Sequence, residues 1–185
     1  MKCWGRNNRG QLGVDFAAGV CSDTTPNTAC QGDDFGDVAA LSFLTFPSQA
    51  GATVVRMSVG DDHTCAQLST NVVYCWGDNT NGALGVDSID TERFIHGSVT
   101  LASSVLFSGA PFDVANMVAL TSHTNKNCGT FLNAGSHVSI CWGEGADGAL
   151  GQGTATNAGT AVDTLVSVVT PIDYTPFTLL TSGVK

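Results

Sequence analysis

The chain has 185 residues, 22 of them Gly, with 43% hydrophobic and only 12% charged residues; 7 basic against 16 acidic side chains give a net charge of -9. That length suits one domain or at most two, and plentiful Thr, Val, Ser and Asn with little of the Glu/Lys/Leu mixture of long helices points to strands and turns. An acidic balance with no basic run excludes an electrostatic grip on phosphate backbones, and no run reaches the roughly 18 to 20 apolar residues of a membrane span.

The N-terminal stretch MKCWGRNNRGQLG turns polar and Gly-rich before any apolar run, so it shows no secretory leader. Its core, KCWGRNNRGQLGVD at 2 to 15, recurs as YCWGDNTNGALGVD at 74 to 87 and as ICWGEGADGALGQG at 140 to 153. The conserved offsets hold Trp4, Gly5, Gly10 and Gly13; then Trp76, Gly77, Gly82 and Gly85; then Trp142, Gly143, Gly148 and Gly151. The tryptophans lie 72 and 66 residues apart, a period too long for the common helical repeats.

The segment 16 to 53 follows the first copy and carries CSDTTPNTAC and QGDDFGD. Next comes VVRMSV from Val54, a Gly/Asp turn, HTCAQL from His63, a three-residue turn at Ser69 to Asn71, and VVYCWG. Short β-rich runs separated by turn residues predict a β-meander. After a second variable segment at 88 to 116, the pattern returns as MVALTSHTNKNCGTFLNAGSHVS at 117 to 139. A third variable segment covers 154 to 176, and FTLLTSGVK at 177 to 185 opens the repeat once more.

A four-stranded meander cannot bury both of its faces alone, so such units stack around a ring. HTCA, a short hairpin, VYCWG and N-x-x-G-x-L-G together resemble the repeat of the regulator-of-chromosome-condensation family in a cysteine-bearing form. The resemblance covers most of 1 to 15, 54 to 87 and 117 to 153, and it implies an all-β propeller. The expected architecture is one partial propeller: about three incomplete blades of antiparallel four-stranded meanders in an unclosed ring, on a chain that is a fragment of the whole.

Hairpin counting predicts how the cysteines face one another. A three-residue loop at Ser69 to Asn71 sets Leu68 against Val72 and Cys65 against Cys75. A four-residue loop at Asn133 to Ser136 sets Leu132 against His137 and Cys128 against Cys141. Opposed Cβ atoms lie about 4.5 to 5.5 Å apart, close enough for a bridge after slight adjustment. Cys21 and Cys30 are placed to close a small loop, and Cys3 is left over, its expected partner on an HTCA-like strand ahead of Met1. Paired cysteines imply an oxidising space, extracellular, cell-surface or endomembrane lumen, against the alternative of buried thiols in a reduced compartment.

Chemistry is sparse. The string GEGADG at 143 to 148 matches a dinucleotide fingerprint only as text, because the equivalent positions of the other copies show it to be the repeat's own turn. His63 and Cys65 share one face of a strand, but His63 belongs to the repeat motif and is expected to hydrogen-bond the backbone of the adjoining turn. Asp33, Asp34 and Asp37 form a weak Ca²⁺ candidate that lacks the established calcium-loop spacing. The tryptophans are expected to pack between blades and the glycines to supply turns with positive φ.

The expected function is therefore a non-catalytic protein-interaction scaffold without a cofactor, reading a protein partner through the variable segments. One alternative is nucleotide exchange or other regulation of a Ran-type small GTPase, the activity best known in the family. Another is a secreted propeller that inhibits an enzyme.

Overall fold

The computed structural model describes residues 1–14, 30–32, 35–46, 49–85, 92–93, 113–133, 135–151, 155–157 and 172–173. The first copy contributes a short ladder, β1 (Gly5–Arg6) against β2 (Cys30–Gln31), followed by a single helical turn, α1 (Asp37–Ala40). In the second copy, β3 (Val54–Val59), β4 (His63–Leu68) and β5 (Val73–Asp78) run antiparallel, and β6 (Glu92–Arg93) adds an outer strand. A 3-10 turn at Val114–Asn116, capped by the Asp113 carboxylate on Ala115 N at 2.8 Å, leads into the third copy. There β7 (Met117–His123), β8 (Lys126–Asn133), β9 (Ser136–Gly143) and β10 (Ile172–Asp173) repeat the same order.

The architecture is thus nearly all β: two four-stranded antiparallel sheets and a two-stranded ladder, which among the described residues close no ring. Among these residues no helix is long and apolar enough to cross a membrane.

Two details differ from the sequence reading. The outer strands β2, β6 and β10 lie inside the segments read as variable connections, because two-residue strands carry no hydrophobic period to find. The third hairpin is also tighter than the four-residue loop expected. Asn133 pairs with Ser136, which leaves residues 134 and 135 as the connection, with Gly135 at φ 89°. Extending both strands by one residue leaves the register unchanged, so Leu132 still faces His137 and Cys128 faces Cys141. The second hairpin keeps its three-residue loop, closed by Leu68 N donating to Val72 O at 2.8 Å, with Asn71 at φ 60°.

Burial explains why the sheets need each other. All six residues of β4 are buried, because one face meets the first copy's turn and the other meets the third copy's sheet. Leu68, Tyr74, Trp76 and Leu84 of the second copy join Met117, Phe131, Ile140 and Trp142 of the third in one apolar cluster. By contrast β3, an edge strand of its sheet, buries every other residue only partly and exposes Val55, Met57 and Val59. Its Arg56 Nε reaches Val118 O on β7 at 3.3 Å, so the edge strands of the two sheets stand side by side.

Candidate interaction site

The chemistry common to the repeats is spent on seams. In the second copy Thr64 and Trp76 stand opposite each other on β4 and β5. Thr64 Oγ1 and Trp76 Nε1 both donate to Gln11 O at 2.9 Å. In the third copy Asn127 stands opposite Trp142. Asn127 Nδ2 at 2.6 Å and Trp142 Nε1 at 3.0 Å both donate to Ala83 O. Gln11 and Ala83 hold the same place in the G-x-L-G turn of successive copies, so each repeat inserts one turn carbonyl into the next. A Cβ on Gly13 would come within 2.8 Å of Trp76 Nε1, so only glycine lets the turn sit this close.

The turns themselves are built alike. Gly10, Gly82 and Gly148 have φ of 75°, 75° and 72°, and Gly13, Gly85 and Gly151 have 73°, 66° and 68°. In the first two copies an asparagine locks the turn: Leu12 N donates to Asn7 Oδ1, and Leu84 N to Asn79 Oδ1, both at 3.0 Å. The third copy has Gly145 there, and Asn157 arrives from outside the motif to accept from Gly145 N at 2.9 Å. Asn157 Nδ2 also donates to Asn81 Oδ1 at 3.1 Å, which ties this substitute lock to the previous repeat.

His63 is fully buried, and its partner is not the turn backbone that the sequence suggested. Its Nε2 donates to Asn127 Oδ1 of the next sheet at 2.9 Å, because β4 presents His63, Cys65 and Gln67 toward the third copy. Asn127 Oδ1 also accepts from Ser122 Oγ at 2.5 Å, and His63 Nδ1 is buried without a partner. Burial pushes the His63 pKa below the ordinary imidazole value, against weaker upward pulls from the Asn127 hydrogen bond and from Asp78, Asp61 and Asp62. Asn127 carries both seam contacts, yet the sequence offers no sign of it, since Thr64 occupies its place in the second copy.

The cysteines divide as follows. Cys65 and Cys75 are joined at 2.05 Å, as are Cys128 and Cys141 at 2.04 Å. Cys3 is a partly buried thiol, and burial raises its pKa over a weaker lowering by the N-terminal charge. Cys30 lies on β2 opposite Arg6, whereas the predicted Cys21–Cys30 closure cannot be followed because Cys21 lies outside the described residues. Asp33 and Asp34 also lie outside them, and Asp37 opens α1. Among the described residues no group of three His, Cys, Asp or Glu comes together to hold a metal.

Trp4 departs from its counterparts. Trp76 and Trp142 are 2% and 0% exposed, whereas Trp4 is 62% exposed, so packing between blades does not extend to the first copy. No described strand stands opposite Trp4 as Thr64 and Asn127 stand opposite the other two. Beside it runs an apolar groove of about 350 Å³, bounded by Cys3, Trp4, Leu12, Met57, Val59 and Thr64. Of the segments expected to carry recognition, 88 to 116 and 154 to 176 lie largely outside the described residues, whereas about half of 16 to 53 lies within them.

Comparison with known proteins agrees with this geometry. The Regulator of chromosome condensation (RCC1) repeat matches residues 54–83, the meander of the second copy and part of its turn. No curated protein matches the chain. Among solved structures, Prp20p from Saccharomyces cerevisiae, described with its binding properties to Gsp1p and histones, aligns at 18% identity and TM-score 0.55 over 94% of this chain and 34% of its own. Yeast RCC1 (Prp20) bound to Kap60 aligns at 15% identity and TM-score 0.54, over 85% of this chain and 31% of its own. Human WBSCR16 aligns at 17% and 0.56, over 92% and 33%. The chain therefore spans about a third of the length of these structures, and at such identities the likeness is one of fold.

Proposed function

We propose that this chain, an RCC1-like β-propeller repeat protein, is a non-catalytic interaction scaffold that engages a protein partner through the segments connecting its blades. The observation that carries the reading is the use made of the repeat's polar groups. Thr64, Trp76, Asn127, Trp142 and His63 all bond across seams and are buried, so these five polar groups of the second and third copies serve packing between repeats. Function then falls to the parts that differ between copies, as is usual where a rigid repeat scaffold presents variable connections. Two bridged cysteine pairs support placement in an oxidising compartment.

A second reading, regulation of a Ran-type small GTPase, draws on the yeast neighbour described with Gsp1p binding. Release of fluorescent GDP from a Ran-type GTPase separates the two. The scaffold reading expects the release rate to stay at its intrinsic value with this protein in excess, and saturable acceleration would put the regulator reading first. For the scaffold itself, a photo-crosslinker placed in 88 to 116 should capture one defined protein that the same probe on the β3 face does not. Equal capture from both positions would contradict recognition by the connections.

A further inference from the structure

His63 stands at one end of the seam between the second and third copies, with its ring closed in on both sides. On one side Nε2 donates to Asn127 Oδ1 at 2.9 Å, the oxygen that Ser122 Oγ also reaches. On the other side Nδ1 is buried without a partner and faces Gly60. A Cβ on Gly60 would collide with the imidazole and with Thr124 O of the third copy. Gly60 does not have a positive φ, so space alone requires glycine there. The ring is thus held between the turn at Gly60 to Asp62 and the third copy's turn at Thr124, too closely to admit a methyl group.

The same turn gathers all three copies. Asp61 N donates to Thr124 O at 3.1 Å, across the seam. Asp62 O accepts from Asp78 N at 2.8 Å within the second copy, and the Asp62 carboxylate takes Arg6 and Gln11 of the first. At the far end of the seam Gln67 Nε2 donates to Val114 O at 2.9 Å and Arg56 Nε to Val118 O at 3.3 Å. The bridges Cys65–Cys75 and Cys128–Cys141 each lie within one sheet, so no disulfide among the described residues crosses between the two. The sheets are covalently braced and the seam is not.

Because Nε2 already carries the proton given to Asn127, a second proton from solvent has only the Nδ1 lone pair to bond. That step breaks no bond, but it places a full charge where nothing accepts its N–H. Asp61 and Asp62 on the same turn and Asp78 at the end of β5 favour the charge, Arg6 beside Asp62 offsets them, and burial outweighs them. On the third copy's side the titratable neighbours are His123 and Lys126, which flank Ser122 and Asn127 in sequence, and Glu144, whose N–H donates to Asn125 O. Asp61 is exposed and Asp62 and Asp78 are half-buried, so an imidazolium reaches carboxylates and water by one outward movement that gives up Asn127.

We propose that His63 is a proton-operated latch: one proton on Nδ1 frees the turn at Gly60 to Asp62 from the third copy and opens that end of the seam, while the end held by Arg56 and Gln67 stays closed. The geometry between two successive copies then depends on pH in the range where histidine titrates. The latch is independent of what the scaffold binds, so its failure would leave that reading standing.

The test follows amide hydrogen exchange of the full chain by NMR, each rate referred to the intrinsic rate at the same pH. Opening linked to one proton grows about tenfold per pH unit below the ordinary imidazole value of about 6.5, so Asp61 N–H should lose about tenfold of its protection between about pH 6.5 and about pH 5.5. Trp76 Nε1–H, which donates to Gln11 O in the other seam, and the ladder amides of β4 and β5 should keep theirs. His63→Gln retains a donor toward Asn127 without a group that titrates, and in it the protection of Asp61 should not change with pH. Should that variant fail to fold, the wild-type ring decides, since its nitrogen resonances should show Nδ1 gaining a proton over the range in which Asp61 loses protection. Unchanged protection at Asp61, equal loss at Asp61, Trp76 and the ladders, the same loss in His63→Gln, or ring titration in a different range would overturn the proposal.

Discussion

Asn127 and Trp142 face each other across β8 and β9 and donate to one carbonyl, that of Ala83 in the preceding repeat. Trp142→Phe loses the indole N–H, at about 1 kcal/mol, and also shrinks a fully buried ring, which adds a cavity cost. Asn127→Leu also strips a partner from buried His63, at about 1 to 3 kcal/mol, and from half-buried Ser122, at less. Urea denaturation of the two variants and their double mutant should show non-additive losses, because both donors share one acceptor. Additive losses would mean that the seam is not a unit.

The three conserved glycines that follow tryptophan allow a backbone strain to be separated from a clash. Gly5→Ala keeps the positive φ and meets no neighbour among the described residues, so it should cost roughly 1 kcal/mol of strain. Gly77→Ala and Gly143→Ala add a collision with backbone and should cost well beyond that. Thermal melts of the three variants read the difference directly.

Stability should fall in mild acid. The folded pKa of His63 lies below the ordinary value, so the unfolded chain takes up the proton first. The contribution is intact above about pH 6.5 and is lost as pH drops from there toward the folded value, at up to about 1.4 kcal/mol per pH unit. Asp61, Asp62 and Asp78 oppose the shift and soften the slope. Denaturant midpoints between pH 7 and 5 should show the decline, and His63→Gln, which retains a donor toward Asn127, should flatten it.

Each bridge closes a short loop, with sequence separations of 10 and 13, and the chain-entropy estimate for loops of that size is about 3 kcal/mol apiece. Reduction should therefore lower the melting temperature substantially. Cys65→Ala and Cys128→Ala should each reproduce part of that loss, as judged by calorimetry under non-reducing conditions.

Periodicity and turn chemistry made the hairpins legible in the sequence, because strand pairing follows from counting outward from a turn. That is why Cys65 could be set against Cys75 without coordinates, and why an error in the length of the third loop left Cys128 facing Cys141. The seams were not legible. His63 and Asn127 lie 64 residues apart, and nothing in a local pattern joins them. The outer strands at Glu92–Arg93 and Ile172–Asp173 were hidden for a related reason, since two residues express no alternation and their pairing is set by neighbours already in place. Trp4 looked equivalent to Trp76 and Trp142 because motif identity records the residue and not the strand across from it.

Disulfide connectivity tests the central claim, that successive cysteine-bearing meanders stack in this register, most directly. Freshly isolated protein would be alkylated, digested without reduction and mapped by mass spectrometry. The account predicts Cys65 joined to Cys75, Cys128 joined to Cys141, and Cys3 recovered as an alkylated thiol. Alkylated thiols at all four bridge positions would contradict the oxidising compartment, and a cross-pair such as Cys65 with Cys128 would contradict the register itself.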